Sequence, residues 1–64
     1  MGIGNANKYE VIRDTFAGTT ILCKTGFMDV AEFVANETVK RLGEDAYANV
    51  YIFDTETGKS IKVR

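Results

Sequence analysis

A chain of 64 residues is one domain's worth of polypeptide, and its 8 basic and 9 acidic side chains leave a net charge of −1. That balance argues against nucleic-acid binding as the main activity, because phosphate neutralisation needs a basic excess. One Cys and no His exclude an internal disulfide and the usual Cys/His zinc site. A domain this small buries only about 60% of the surface its unfolded chain exposes, so tight local packing or self-association must support it.

Residues 1–7 (MGIGNAN) are Gly- and Asn-rich and are expected to be a flexible N-terminal segment preceding a single domain over residues 8–64. They lack the basic start and apolar run of a secretory leader. A myristoylation motif fails at Ala6, where Ser or Thr is needed. No apolar stretch approaches the ~20 residues of a membrane span. The expected compartment is cytoplasmic, and a lone free Cys is consistent with reducing conditions.

Lys8 to Thr15 (KYEVIRDT) reads as a strand with Tyr9, Val11 and Ile12 as its apolar members. Phe16 to Thr19 supplies a Gly-containing turn, and Thr20 to Thr25 (TILCKT) reads as a second, β-branched strand, completing a hairpin. Asp29 is then positioned to cap a helix, with Glu32 reaching back as in a capping box. The helix is predicted over Val30 to Leu42, closed by Gly43 and with Lys40 and Arg41 in its last turn. At about 100° per residue, Ala31, Val34, Ala35, Thr38, Val39 and Leu42 share one arc, and Phe33 projects on the polar side. Glu44 to Ala46 form a link. Tyr47 to Asp54 (YANVYIFD) reads as a third strand, Thr55 to Gly58 as a turn and Lys59 to Arg64 (KSIKVR) as a fourth strand.

The order ββαββ predicts an α+β domain, a four-stranded sheet with one helix packed across one face. With a right-handed crossover the first and last strands can pair in parallel at the centre. That arrangement resembles the β-grasp fold of small immunoglobulin-binding domains. The resemblance rests on element order and length over Lys8 to Arg64 and implies architecture only.

Catalytic equipment is missing from every pattern that suggests it. Gly58-Lys59-Ser60 resembles the tail of a phosphate-binding loop, but position 53 is Phe and a strand follows. Cys23 lies beside Lys24, which favours a thiolate, yet no His is present to act as base, so a packed apolar role is expected. The carboxylates Asp54/Glu56 and Glu44/Asp45 fall in turns, where solvation rather than catalysis is expected. The Asp54 to Gly58 stretch lacks the spacing of a calcium loop. No cofactor is expected, and the chain reads as non-enzymatic.

The third strand carries the functional expectation. Val50 and Ile52 alternate with Asn49, Tyr51 and Phe53, so both of its faces are apolar at their centre. One helix covers one face. The other is expected to present Tyr51 and Phe53, joined by Tyr9 and Val11, with Phe33 on the outer helix as a second contact. Apolar patches of this kind mark protein-binding surfaces. The expectation is a small adaptor, inhibitor or regulator, of the type found among phage- and plasmid-encoded modulators of host proteins. It would bind a protein partner through a sheet face or edge, with a homodimer as a variant. The alternative is weak nucleic-acid binding by Lys59, Lys62 and Arg64, read as one basic face of the last strand, with the sheet aromatics for stacking.

Overall fold

The computed structural model describes residues 7–42 and 48–64. Strands β1 (Tyr9–Thr15) and β2 (Gly18–Thr25) form a hairpin, helix α1 (Met28–Leu42) follows, and strands β3 (Asn49–Asp54) and β4 (Lys59–Lys62) form a second hairpin. The sheet order is β2-β1-β3-β4, with β1 antiparallel to both its neighbours and β3 antiparallel to β4. The α+β, ββαββ architecture with one helix on one face is therefore present.

The central pairing differs from expectation. In place of a parallel β1–β4 pair, β3 lies beside β1 and β4 occupies the rim. Burial supplies the reason. Val50 and Ile52 of β3 are among the most buried side chains, whereas all four residues of β4 are exposed. The more apolar strand takes the slot with a neighbour on each side, and the lysine-bearing strand takes the edge. The β-grasp resemblance thus extends to element order and helix placement, not to strand pairing.

The core is a single layer between α1 and the sheet. Val11, Val50 and Ile52 lie beneath Ala31 and Ala35, and Ala31, Ala35, Val11 and Val50 are fully buried. Met28, Val34, Val39 and Leu42 of the helix and Tyr9, Leu22, Cys23 and Val63 of the sheet pack around them. Two alanines at i and i+4 let the helix backbone come close to three branched side chains. Thr38, on the same arc, returns its hydroxyl to the Val34 carbonyl at 2.8 Å.

The helix begins two residues earlier than expected. The Phe27 carbonyl accepts from the Ala31 N–H at 3.1 Å, and the Phe27 N–H donates to Thr25 Oγ1 at 3.2 Å. Asp29 is therefore inside the first turn, where its carboxylate accepts from the Val30 N–H and complements the positive helix end. The expected box between Asp29 and Glu32 does not arise, because Asp29 is already helical. Gly43, the Glu44 to Ala46 link and Tyr47 lie outside the described residues.

The seating of α1 gives a direct test. Ala35→Leu is expected to lower stability by about 1–3 kcal/mol through overpacking, and Ile52→Ala by about 2–5 kcal/mol through a cavity. Urea unfolding followed by circular dichroism measures both. A Leu at 35 accepted without loss would mean that the helix stands further from the sheet.

Candidate docking face

Strand alternation and register place each side chain on one of two faces. The helix side takes Tyr9, Val11, Cys23, Val50, Ile52 and Ile61. The opposite side, away from α1, takes Glu10, Ile12 and Asp14 of β1, Asn49, Tyr51 and Phe53 of β3, and Ser60 and Lys62 of β4. Both apolar faces of β3 are thus used, one for the core and one for the helix-free surface.

Strand β2 reaches this open face through an irregularity. Val11 pairs with Cys23 but Ile12 pairs with Ile21, so Leu22 is an extra residue that shifts the register. The shift reverses the alternation of β2. Without it, Ile21 would share the helix side with Cys23. With it, Ile21 stands beside Ile12 on the open face, while Leu22 packs on the core.

One register row of the open face therefore reads Ile21, Ile12, Tyr51, Lys62 across the four strands. The next row reads Lys24, Glu10, Phe53, Ser60, and the row on the other side Thr19, Asp14, Asn49. An apolar band, with Phe53 beside it, is bordered by polar and charged groups. Ile12 is only 8% exposed although it lies outside the helix-side core. Tyr51 and Phe53 are half-buried and Ile21 is exposed. Beside Tyr51, a shallow concavity of about 390 Å³ is lined by Asp14, Asn49, Ser60 and Lys62.

Of the residues anticipated for binding, Tyr51 and Phe53 do share the open face. Tyr9 does not extend that patch: it lies on the helix side against the core, with the Lys8 ammonium 5.0 Å from its ring centre. Val11 is likewise beneath the helix. Spacing explains both, since positions 9 and 11 share one face and 10 and 12 the other. Ile12 and Ile21 also belong to this face. Ile12 was legible from alternation alone, whereas Ile21 reaches the face only because of the extra residue. Phe33 projects outward from α1, remote from Tyr51 and Phe53.

The three cations of the C-terminus do not form one basic face. Lys59 pairs across from Asp54 and Lys62 from Tyr51, which puts them on opposite sides of β4, as a spacing of three in a strand requires. Arg64 follows the strand and exchanges backbone hydrogen bonds with Val50 at 3.0 and 3.3 Å. Lys62 alone of the lysines in β4 adjoins the aromatic band.

The carboxylates of the β3–β4 turn serve the fold. Asp54 Oδ1 accepts from the N–H groups of Glu56 and Thr57 at 2.9 and 3.3 Å, and Gly58, at φ +76°, completes the turn with an N–H to the Asp54 carbonyl. The Lys8 ammonium stands 3.3 Å from Glu56 and 3.8 Å from Asp54. Its pKa is raised, first by hydrogen bonding to Tyr9 and Glu56 and then by the charge of Asp54. Among the described residues no cluster of three or more His, Cys, Asp or Glu could hold a metal ion, and no helix is long and apolar enough to cross a membrane. Cys23 is a free thiol, half-buried against the core.

No protein-family model, curated protein or solved structure matches this chain.

The turn yields a prediction. Asp54→Ala leaves two backbone donors without their side-chain acceptor, and a loss of about 1 kcal/mol in urea unfolding is expected. Asp54→Asn, which keeps the acceptor oxygen, is expected to recover most of it; equal losses for the two would show that the Lys8 charge rather than the turn geometry matters.

Proposed function

We propose that this chain is a non-enzymatic protein-binding module that docks a partner on the helix-free sheet face. The observation that carries the reading is the band Ile21, Ile12, Tyr51 with Phe53, which lies on the face opposite the helix. The fold does not need these side chains to seal the core beneath α1. Aromatic and branched groups ringed by polar ones have the composition of an interface centre with its rim.

The partner's chemistry follows from the border. The band ends on Lys62 at the β4 edge. Its fitting counterpart is a protein surface with an apolar centre and acidic groups on one side. A small regulator or inhibitor of another protein acts by such occupancy alone, without chemistry of its own. Cytoplasmic action belongs to the same proposal.

One observation favours a second reading. Lys62 and Tyr51 are register partners, and an aromatic ring beside a cation is a stacking platform for single-stranded nucleic acid. Glu10 and Asp14 on the same face oppose a phosphate chain, so the protein reading ranks first.

Tyr51→Ala with Phe53→Ser is expected to keep the far-ultraviolet spectrum and cooperative unfolding while abolishing partner capture from extracts of the source cell. Ile61→Ala, on the helix side, is expected to leave capture intact. Capture that survives the double change defeats the reading. Oligonucleotide binding that declines steeply with salt would instead favour the second one.

A further inference from the structure

A second extra residue, just past β4, shapes the open face beside Tyr51. The Val50 carbonyl accepts from both the Val63 and the Arg64 N–H, at 2.8 and 3.0 Å, so two residues oppose one on β3. Arg64 therefore stands opposite Val50 instead of Asn49, and Val63 packs on the core. The regular register of β4 ends at Lys62, opposite Tyr51. The concavity of about 390 Å³ lies at this step, lined by Asp14, Asn49, Tyr51, Ser60 and Lys62.

The polar groups around it are largely uncommitted. Asp14 Oδ1 accepts from the Thr19 hydroxyl at 3.0 Å, which leaves Oδ2. Among the described residues, no hydrogen bond or ion pair within the chain engages the side chains of Asn49, Tyr51, Ser60 or Lys62. Register sets their order. Lys62 and Ser60 of β4 stand at one end, Tyr51 of β3 in the middle, and the cross-strand pair Asn49 and Asp14 at the other. Asp14 lies two strands across and two residues along from Lys62, about 12 Å between Cα atoms, so the two charges do not neutralise each other. An ammonium, an aromatic ring and an amide–carboxylate edge thus follow one another across one concavity.

We propose that this concavity binds one nucleotide whose base carries an amino group beside a ring-nitrogen acceptor, that is adenine or cytosine. The Lys62 ammonium and the Ser60 hydroxyl donate to its phosphate. The base lies against Tyr51, and Asn49 and Asp14 meet the base edge. An asparagine amide pairs with a ring nitrogen and the adjoining amino group through two hydrogen bonds, and a carboxylate oxygen accepts from an amino group. Uracil and thymine offer no amino group to either. Guanine presents adjoining N–H donors, which call for two free carboxylate oxygens, and Thr19 holds one of those on Asp14.

The charges also limit the ligand to a single phosphate. Glu10 and Asp14, on the same face, repel a continuing phosphate chain. One phosphate needs no basic excess, in keeping with a net charge of −1. Tyr51 belongs to the docking band as well, so a nucleotide and a protein partner exclude each other there.

Titration of the isotope-labelled full chain with AMP, CMP, UMP, adenosine and inorganic phosphate, followed by nuclear magnetic resonance, tests this. AMP and CMP are expected to move the amide signals of Asn49, Tyr51 and Lys62 saturably, with UMP weaker by about tenfold or more. Lys62→Gln is expected to weaken AMP to the level of adenosine, and Asn49→Ala to erase the difference between AMP and UMP. Lys59→Gln, on the other side of β4, is expected to change neither. Lys62 and Asn49 are exposed, so signals retained elsewhere separate loss of ligand from loss of fold. The dinucleotide pApA, which brings a second phosphate toward Asp14, is expected to bind no more tightly than AMP. The absence of saturable shifts at millimolar nucleotide overturns the proposal. So does equal binding of AMP and UMP, or a response to inorganic phosphate that matches the response to AMP, which marks an adventitious anion contact only. Tighter binding of pApA also overturns it and assigns the site to a nucleic-acid strand. No protein partner enters these measurements, so their failure leaves the docking reading untouched.

Discussion

Two alanines one turn apart, resting on three branched side chains, set the terms for the rest of this molecule. Ala31 and Ala35 have no bulk with which to hold the helix away from Val11, Val50 and Ile52. The contact is therefore close, and it is also narrow. A helix seated this way spans β2, β1 and β3 and leaves β4 outside its reach. Among the described residues α1 is the helix that covers the sheet, and it lies on one side of it. Ile12 is buried on the other side, whereas Ile21 remains exposed. The apolar band is a direct outcome of having one covering layer for a sheet with two apolar sides.

Much of this was legible in the residues. Alternation in β3 correctly separated Val50 and Ile52 from Tyr51 and Phe53, because side-chain direction in a strand is a local property. The buried arc of α1 was legible for the same reason, since helical periodicity needs no knowledge of the rest of the chain. Strand pairing was not. Whether β3 or β4 lies beside β1 depends on which strand gains more from two neighbours, a comparison between distant segments. The extra residue at Leu22 was also hidden, because TILCKT reads as a regular strand, and with it went the placement of Ile21. Tyr9 shares parity with Val11, and Val11 is core, so both lie on the helix side. Counting by twos would likewise have put Lys59 and Lys62 on opposite faces.

The two hairpin turns show how the sequence spends its special residues. Gly58 takes the left-handed backbone that ends the Asp54 turn. Asp54 meanwhile serves both the turn donors and Lys8, which ties the start of β1 to the β3–β4 connection. Thr55 reinforces that tie with two contacts to the Lys8 carbonyl, one from its N–H and one from its hydroxyl, both 2.8 Å. These bonds cluster at the end of the sheet where α1 begins.

The antiparallel seam between β1 and β3 has a kinetic meaning as well. Each hairpin joins neighbours along the chain, but this seam joins residues roughly 40 positions apart, so closing it carries most of the loop entropy of the topology. Val11, Val50 and Ile52 flank that seam and also receive the helix, so zipping the strands and docking the helix form one cooperative event. The rate-limiting barrier then belongs to the middle of the sheet, and substitutions at either rim should accelerate unfolding while scarcely slowing refolding.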